Sequence, residues 1–476
     1  HTYTHTQRER ERERESLKDR HTHTLPAMHT YTDIHTLTNV YAYICTDACR
    51  QTPMWWFLWL RRRRTRDLAR LFPESVWEVI FSFLVVQDFL RTCTVTSQWK
   101  NCAAAYIGGY CGHLLSKPSI CALVCCFPDL KSLDFDMDFC DGNTEVGLQQ
   151  LSTVLMDGTL PCLDTLRLWF PSNQARKPSL DWLTDGARHC RSLRKLQLKS
   201  HLLHEEDCLL LLESLPPTIT SLHLECKFLG TPACEKLAYL ICGGYLHSLR
   251  LCHSSIRCTG LQALSHGLVP GKHKLVELDV SGCEISTAGV SSLASVLEAD
   301  TALRTLNLSG NNLDDESALL LARALRGNQG LRALDLRYNC IGDSGTEELA
   351  GSLLENTRLR RLNLGHNSLT AKGVHFLASA ILDSWRLESI DLSENAIGSQ
   401  GALYMAEVMR PLKSLLAISL AFCNIEGEQA TAALAEALRT NRSLRVVQLQ
   451  GNPLSPQQQH NIKRCAPEQL RHLMIF

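Results

Sequence analysis

One short phrase recurs along the second half of the chain and limits what the chain can fold into. The stretch "LRTLNLSGNNL", residues 303–313, is followed 28 residues later by "LRALDLRYNCI" and after another 28 by "LRRLNLGHNSL". The L-x-L centre of each copy alternates with period two, which predicts a short strand whose leucines face one side. The second half of each copy, such as "DESALLLARALRGN", has apolar residues three and four positions apart, which predicts a helix. Neither element buries its apolar face alone, so the copies are expected to stack around one continuous core.

The pattern L-x-x-L-x-L-x-x-N/C-x-L fits the chain twelve times. The copies start at Leu130, Leu163, Leu193, Ile219, Leu246, Leu275, Leu303, Leu331, Leu359, Leu387, Leu415 and Leu444. Their spacing and composition resemble leucine-rich repeats of the ribonuclease-inhibitor class over residues 130–476. The resemblance implies an α/β solenoid in the form of a horseshoe, with parallel strands on the concave side and helices on the convex side. The ending "LRHLMIF" predicts a terminal half repeat in which Leu470, Leu473 and Ile475 face inward.

A polar residue follows the predicted strand in most late repeats, where the chain must turn. This position holds Asn311, Asn339, Asn367, Asn395 and Asn452, and it holds cysteine at Cys283 and Cys423. An asparagine amide can both donate to and accept from exposed backbone groups at such a turn. We therefore predict that these side chains hold the turns together, and that Leu334 and Leu336 are buried in the middle of the stack.

Composition excludes several classes of function. The chain has 476 residues and equal numbers of acidic and basic side chains, so it lacks the basic surplus that nucleic-acid binding needs. Its 21 cysteines are scattered without matched pairs, which favours a reducing compartment over a disulfide scaffold and predicts no zinc site. The run "MWWFLWL" is too short to cross a bilayer, so residues 54–70 are expected to be a short apolar and basic leader. No cofactor, enzyme signature or membrane partner is predicted, and the expected location is the cytoplasm, with the nucleus as an alternative.

The stretches "HTYTHTQRERERERES" and "HTHTLPAMHTYTDIHTLT" within residues 1–53 alternate His with Thr and Arg with Glu, which is what translated dinucleotide repeats would give. Such a composition buries too little apolar surface to offset chain entropy, so we predict a disordered tract or a gene-model artefact. Met54, where this biased text ends, is a possible true start.

The stretch "LFPESVWEVIFSFLVVQDFLRTCTVTSQWKNCA", residues 71–103, predicts a compact set of short helices. Val76, Ile80 and Leu84 fall on one helical face, and Pro73 suits the first turn of that helix. The core of such a set is small for a domain that folds by itself. One interpretation is therefore a helical cap over the first repeat, which solenoids need.

The same stretch resembles an F-box in its order of Pro73, Ile80, Asp88 and Trp99. An F-box at 71–105, followed by a linker and cap at 106–129, implies the substrate-recognition adaptor of a cullin-type ubiquitin ligase. In that family the F-box docks a Skp-type adaptor and the repeats select the target protein. The resemblance assigns adaptor binding to Phe72, Pro73, Val76, Ile80, Leu84, Leu90, Val95 and Trp99. The alternative function is a non-enzymatic interaction scaffold, or an immune-receptor-like or ribonuclease-inhibitor-like protein, without a ligase link.

The residues that flank the strand leucines are expected to face the concave surface and to meet the target. In the early strands these residues are large and varied, and tryptophan and arginine are frequent anchors of protein interfaces. The candidate target-binding residues are Arg167, Trp169, Lys195, Lys199, His223 and Arg250. Their mostly positive charge predicts an acidic segment of a target protein as the ligand.

Overall fold

The computed structural model describes residues 131–136, 144–158, 160–170, 180–383, 386–471 and 474–476. The predicted leader, the F-box-like stretch at 71–105 and the linker that follows it lie outside the described residues. What the sequence indicates for them therefore stays a prediction.

Within the described residues the strands form one parallel sheet in strict chain order. The strands are β1 Ser132–Asp136, β2 Thr165–Phe170, β3 Lys195–Ser200, β4 Ser221–Cys226, β5 Ser248–Arg250, β6 Glu277–Asp279, β7 Thr305–Asn307, β8 Ala333–Asp335, β9 Arg361–Asn363, β10 Ser389–Asp391, β11 Ala417–Ser419, β12 Val446–Gln448 and β13 Met474–Ile475. Each strand pairs with the next strand of the chain, because the connection between them returns the chain to the end of the sheet at which the previous strand began.

A helix connects each strand to the next. The helices are α1 Thr144–Met156, α2 Asp181–His189, α3 Glu205–Ser214, α4 Thr231–Cys242, α5 Arg257–Gly267, α6 Thr287–Leu297, α7 Asp315–Gly327, α8 Asp343–Glu355, α9 Ala371–Asp383, α10 Gly398–Met409, α11 Glu428–Thr440, α12 Pro456–Cys465 and the short α13 Glu468–Arg471. Helices of adjacent repeats pack side by side and form a layer over one face of the sheet. For the described residues this confirms the predicted repeat solenoid of parallel strands and helices.

The core lies between the sheet and the helix layer and consists mainly of the repeated leucines. Leu306 and Leu308 of the first quoted phrase are fully buried. Leu334 and Leu336 of the following phrase are exposed by 2% or less. The period-two prediction of which leucines face inward is therefore confirmed. On the helix side, Leu349 and Leu353 of α8 cover this strand layer and are equally buried.

We expect Leu336→Ala to lower the free energy of unfolding by about 2–5 kcal/mol, because the substitution leaves a cavity in the middle of a close-packed stack. The measurement is equilibrium urea unfolding of the full chain. The matched control is Leu354→Ala in α8, whose side chain is 55% exposed. That control should change stability by no more than about 0.5 kcal/mol, and equal losses in the two variants would contradict the assigned inward face.

The turn after each late strand is held by the predicted asparagines. The Nδ2 group of Asn339 donates to the carbonyls of Leu308 at 3.1 Å and Leu336 at 2.9 Å. Its Oδ1 atom accepts from the backbone N–H groups of Asn311 and Leu313, both at 3.2 Å. One side chain therefore satisfies backbone groups of two adjacent repeats. The same kind of bridge is made by Asn311, Asn367, Asn395 and Asn452.

Cysteine fills this position where asparagine is absent, as predicted. The thiol of Cys283 donates to the carbonyl of Leu251 at 2.9 Å, and the thiol of Cys423 donates to that of Leu392 at 3.2 Å. Burial raises the pKa of both thiols to about 12, so they stay protonated and keep their donor. A cysteine can replace the donor half of the asparagine bridge but not its two accepted bonds.

We expect Asn339→Ala to destabilise the chain by about 2–3 kcal/mol, because it leaves buried backbone groups of two repeats without partners. Asn339→Cys should lose less, since Cys283 shows that a thiol can serve the carbonyls of this turn. The measurement is thermal melting of the two variants. The matched control is Asn312→Ala, which changes an exposed asparagine of the preceding repeat. The interpretation fails if the alanine and cysteine variants melt at the same temperature.

A second set of amide bridges joins the turns that enter the strands, and sequence analysis missed it. Asn356 donates through Nδ2 to the carbonyls of Leu325 at 2.6 Å and Asn328 at 3.0 Å, and its Oδ1 accepts from the N–H of Leu359 at 2.8 Å. Asn328 and Asn441 make equivalent bonds. The available signal was an asparagine three residues before the first leucine of the phrase.

Asp300 occupies this second position in an earlier repeat and has a buried histidine as its partner. The Nε2 atom of His273 lies 3.2 Å from the Asp300 carboxylate, and its Nδ1 accepts from the N–H of Leu275. Because Nδ1 is an acceptor, the ring proton lies on Nε2 and faces the carboxylate. Burial would raise the pKa of Asp300, but the adjacent His273 ring and the hydrogen bonds from the N–H groups of Ala302 and Leu303 hold the pKa below its ordinary value.

The terminal half repeat exists, but its predicted register is wrong by one residue. Strand β13 pairs with β12 so that Met474 lies opposite Val447 and Ile475 opposite Gln448. Met474 is accordingly buried at 6% exposure, whereas Ile475, which was expected to face inward, is 48% exposed. The spacing from Leu444 to the last strand differs from the regular period, and pairing with the preceding strand decides which side chain turns inward.

Candidate protein-binding face

The sheet face opposite the helices, here called the open face, displays the residues that flank the inward leucines. Because adjacent strands pair in register, equivalent positions form rows across the sheet. The first row contains Lys195, Ser221, Ser248, Glu277, Thr305, Ala333, Arg361 and Ser389. The middle row contains Arg167, Gln197, His223, Arg250, Asp279, Asn307, Asp335, Asn363, Asp391, Ser419 and Gln448. Every candidate target-binding residue lies on this face or at its edge.

Trp169 and Lys199 lie side by side on β2 and β3. The indole is 45% exposed, and the Lys199 Nζ atom lies 5.2 Å from the centre of its ring. The same Nζ atom lies 2.8 Å from the carboxylate of Glu225 on β4, which is largely buried. An aromatic side chain and a cation therefore lie together on this face, and the carboxylate of Glu225 balances the charge of Lys199.

Arg167 and Lys195 complete the early end of the face. Arg167 donates to the hydroxyl of Ser132 at 3.2 Å, and the Lys195 Nζ atom lies 3.8 Å from a carboxylate oxygen of Asp164. Both cations remain accessible, because their ion pair or hydrogen bond lies at the surface. We call Arg167, Trp169, Lys195 and Lys199 the early-strand patch.

His223 and Arg250 lie further along the middle row and add little free positive charge. Arg250 donates from Nε and Nη2 to one carboxylate oxygen of Glu277, at 3.1 and 2.6 Å, and this hydrogen-bonded pair raises the pKa of Arg250. Burial lowers the pKa of His223, so its imidazole is mainly neutral at pH 7. These two residues therefore border the early-strand patch rather than extend its charge.

The middle row becomes acidic beyond β5. Asp279, Asp335 and Asp391 stand on alternate strands, with Asn307 and Asn363 between them. Burial, reinforced by the charges of the other two aspartates and opposed by Arg337, raises the pKa of Asp335. These aspartates were visible in the sequence, but their alignment in one row depends on the register of the sheet.

The described residues contain no group of three or more His, Cys, Asp or Glu side chains placed to hold a metal ion. Across the same part of the chain, none of the helices combines the length and the apolar character that a bilayer crossing requires.

Comparison with known proteins identifies the repeats. A family model described as leucine rich repeat matches residues 271–294, 300–322, 327–350, 355–378 and 387–406. The ribonuclease inhibitor of Sus scrofa is 28% identical over 200 residues, which are 40% of this chain and 41% of that protein. The match thus spans about two-fifths of the relative's length. Neither the family model nor this relative points to a catalytic family.

Two solved structures of low sequence identity are also similar to this chain. An internalin of Listeria monocytogenes is 16% identical, with 67% of this chain and 82% of that chain covered and a TM-score of 0.37. The Rad7 and Elc1 complex in yeast contains a chain that is 16% identical, with 89% and 95% covered and a TM-score of 0.39. Scores of this size support no argument about function.

Trp169→Ala should weaken the binding of a partner at the early-strand patch by about 2 kcal/mol or more, because an exposed indole gives a large contact area at low entropic cost. The measurement is affinity capture with the full chain, followed by titration of the captured protein. Tyr239→Ala, which removes an exposed aromatic side chain from α4, is the matched control. If Trp169→Ala retains every partner while open-face variants of late strands lose them, the binding site lies elsewhere on the sheet.

Proposed function

We propose that the repeat array binds another protein on its open face and that the chain is a recognition subunit without chemistry of its own. The observation that carries the proposal is Trp169, an exposed tryptophan among polar side chains, with Lys199 against its ring. Thirteen strands at a spacing of ~4.8 Å extend over roughly 58 Å, a span that suits a protein partner and exceeds what a small ligand needs. The similarity to ribonuclease inhibitor, a protein whose name states that it acts on another protein, supports the same class of function.

The finer proposal is the substrate-recognition adaptor of a cullin-type ubiquitin ligase. It rests on the resemblance of residues 71–105 to an F-box, with the order Pro73, Ile80, Asp88 and Trp99. In this arrangement the F-box docks a Skp-type adaptor while the open face holds the target. Holding both in one complex raises the local concentration of target lysines near the ligase, so that binding alone accelerates ubiquitin transfer.

The two remaining interpretations differ in what residues 71–105 do. A helical cap would cover the first repeat and bind no adaptor, and the chain would then be an interaction scaffold or a receptor-like protein. An F-box would bind the adaptor whether or not the target is present. Adaptor binding therefore separates the interpretations.

The double variant Pro73→Ala with Ile80→Ala should reduce binding of a purified Skp-type adaptor by about tenfold or more, because hot-spot side chains dominate such interfaces. The measurement is a pull-down with the full chain followed by surface plasmon resonance. Circular dichroism melting should show that the repeats keep their stability, which a cap variant would not.

The matched control is Thr92→Ala, a substitution in the same stretch outside the predicted contact residues. Absence of adaptor binding by the wild-type chain would remove the ligase proposal and leave the protein-binding proposal intact. Loss of repeat stability in the double variant would favour the cap.

A further inference from the structure

A row of large side chains runs along the turns that follow β8 to β11. Tyr338, His366, Glu394 and Phe422 have φ values of 55°, 52°, 57° and 53°, in the left-handed region that costs any residue with a Cβ atom conformational free energy. We call these four residues the turn ridge. The first three side chains are neighbours: the centres of the Tyr338 and His366 rings lie 4.5 Å apart, and His366 Nε2 lies 4.0 Å from the Glu394 carboxylate.

Burial does not explain why this position carries large side chains. Two preceding repeats have glycine here, at Gly282 and Gly310, and the backbone makes the same left-handed turn. On the ridge, Tyr338 is 48% exposed and Phe422 is 57% exposed. Strained positions that carry exposed aromatic side chains are frequent where a protein meets a ligand.

The turn ridge follows the acidic part of the open face along the chain, since Tyr338 comes three residues after Asp335 and Glu394 three residues after Asp391. Asp279, Asp335 and Asp391 of the middle row, here called the carboxylate row, line one depression together with Glu277, Arg250 and Arg361. The depression thus holds four carboxylates and two guanidinium groups, and one of these, Arg250, is already hydrogen bonded to Glu277. Burial is the main cause of the raised pKa of Asp335, and repulsion from the other two aspartates adds to it; a cationic ligand would relieve that repulsion.

A buried hydroxyl lies at the end of the same row. Ser419 pairs in register with Asp391, is 7% exposed, and its Oγ atom has no hydrogen-bond partner among the described residues. A buried polar group without a partner is costly unless a ligand or water supplies one. This places a buried hydroxyl that can bond a ligand beside the last carboxylate.

The spacing of the carboxylates selects a kind of ligand. Because they stand on alternate strands, neighbouring carboxylates are about 9.6 Å apart along the row. Three residues of an extended chain in the polyproline II conformation cover about 9.3 Å, and residues three apart then lie on the same side of the chain. A peptide that crosses the strands can therefore present one cation to each aspartate if lysine or arginine occurs at every third residue.

We propose that the carboxylate row and the turn ridge bind a segment of a partner protein in the polyproline II conformation that carries lysine or arginine at every third residue beside an apolar side chain. The cations pair with Asp279, Asp335 and Asp391, and the apolar side chain packs against Tyr338. This rests on the proposal that the open face binds protein, and it adds a second site of opposite charge to the early-strand patch. Arg361, in the first row, opposes the ligand, and Arg337, whose Nε lies 3.4 Å from Asp335, competes with it.

Fluorescence anisotropy with the purified full chain tests the proposal. One labelled peptide carries a leucine and three arginines separated by two small residues each; a second has the same composition with its arginines adjacent. We expect the spaced peptide to bind about fivefold or more tighter, since only it matches the row, and both to weaken as salt rises. Equal affinity of the two peptides would reduce the interaction to unspecific charge attraction and overturn the proposal.

Three variants locate the site. Asp335→Asn with Asp391→Asn should weaken the spaced peptide about tenfold or more, while the fold is kept because Asn307 and Asn363 occupy the same row naturally. Arg361→Gln should strengthen binding about threefold by removing a repelling charge. Glu407→Gln, an exposed carboxylate on α10, is the matched control and should change nothing.

Tyr338→Gly separates binding from stability. Glycine relieves the left-handed strain, so the variant should melt at or above the wild-type temperature, yet its affinity for the spaced peptide should fall about fivefold. Unchanged affinity in this variant and in the double aspartate variant would overturn the proposal. Because the assay contains neither a ligase component nor a partner of the early-strand patch, this result would leave the proposed function untouched.

Discussion

Burial of the strand leucines by stacking is the interaction on which the rest of this structure depends. A single repeat offers one short strand and one helix, and neither covers the other's apolar side completely. Leu306 and Leu334 become inaccessible only because the same leucines of the repeats before and after close the layer. The free energy of the fold is therefore held in contacts between neighbours along the chain, and local loss of one repeat exposes two interfaces.

Stacking in turn requires that the polar backbone at every turn be satisfied inside the stack. The asparagine bridges meet this requirement at both ends of the strands, through residues such as Asn339 after a strand and Asn356 before one. Each amide links its own turn to a backbone group of the adjacent repeat. The bridges therefore hold the repeats in register, and this register is what aligns the outward side chains in rows.

The rows give the open face two chemically different regions. At the early end, Trp169 is accompanied by cations, of which Lys199 is matched by a buried carboxylate. In the middle, aspartates stand on alternate strands, and burial together with the charges of the other two raises the pKa of Asp335. A protein that contacts both regions would need acidic groups opposite the early-strand patch and basic groups opposite the aspartates. The face can therefore distinguish partners by orientation as well as by composition.

The repeat, the inward leucines and the asparagine turns could be predicted from the sequence, because they follow from periods of two and 28 residues along the chain. The sequence also indicated Trp169 and its neighbouring cations as candidate contacts. Which charges are balanced could not be predicted, since Glu225 and Glu277 contact Lys199 and Arg250 from adjacent strands. Tertiary structure likewise decided the register of the last strand, where Met474 rather than Ile475 turns inward, and the alignment of three distant aspartates. Periodicity is a property of the sequence alone. Charge pairing and strand register arise between segments about 28 residues apart and depend on how adjacent strands pair.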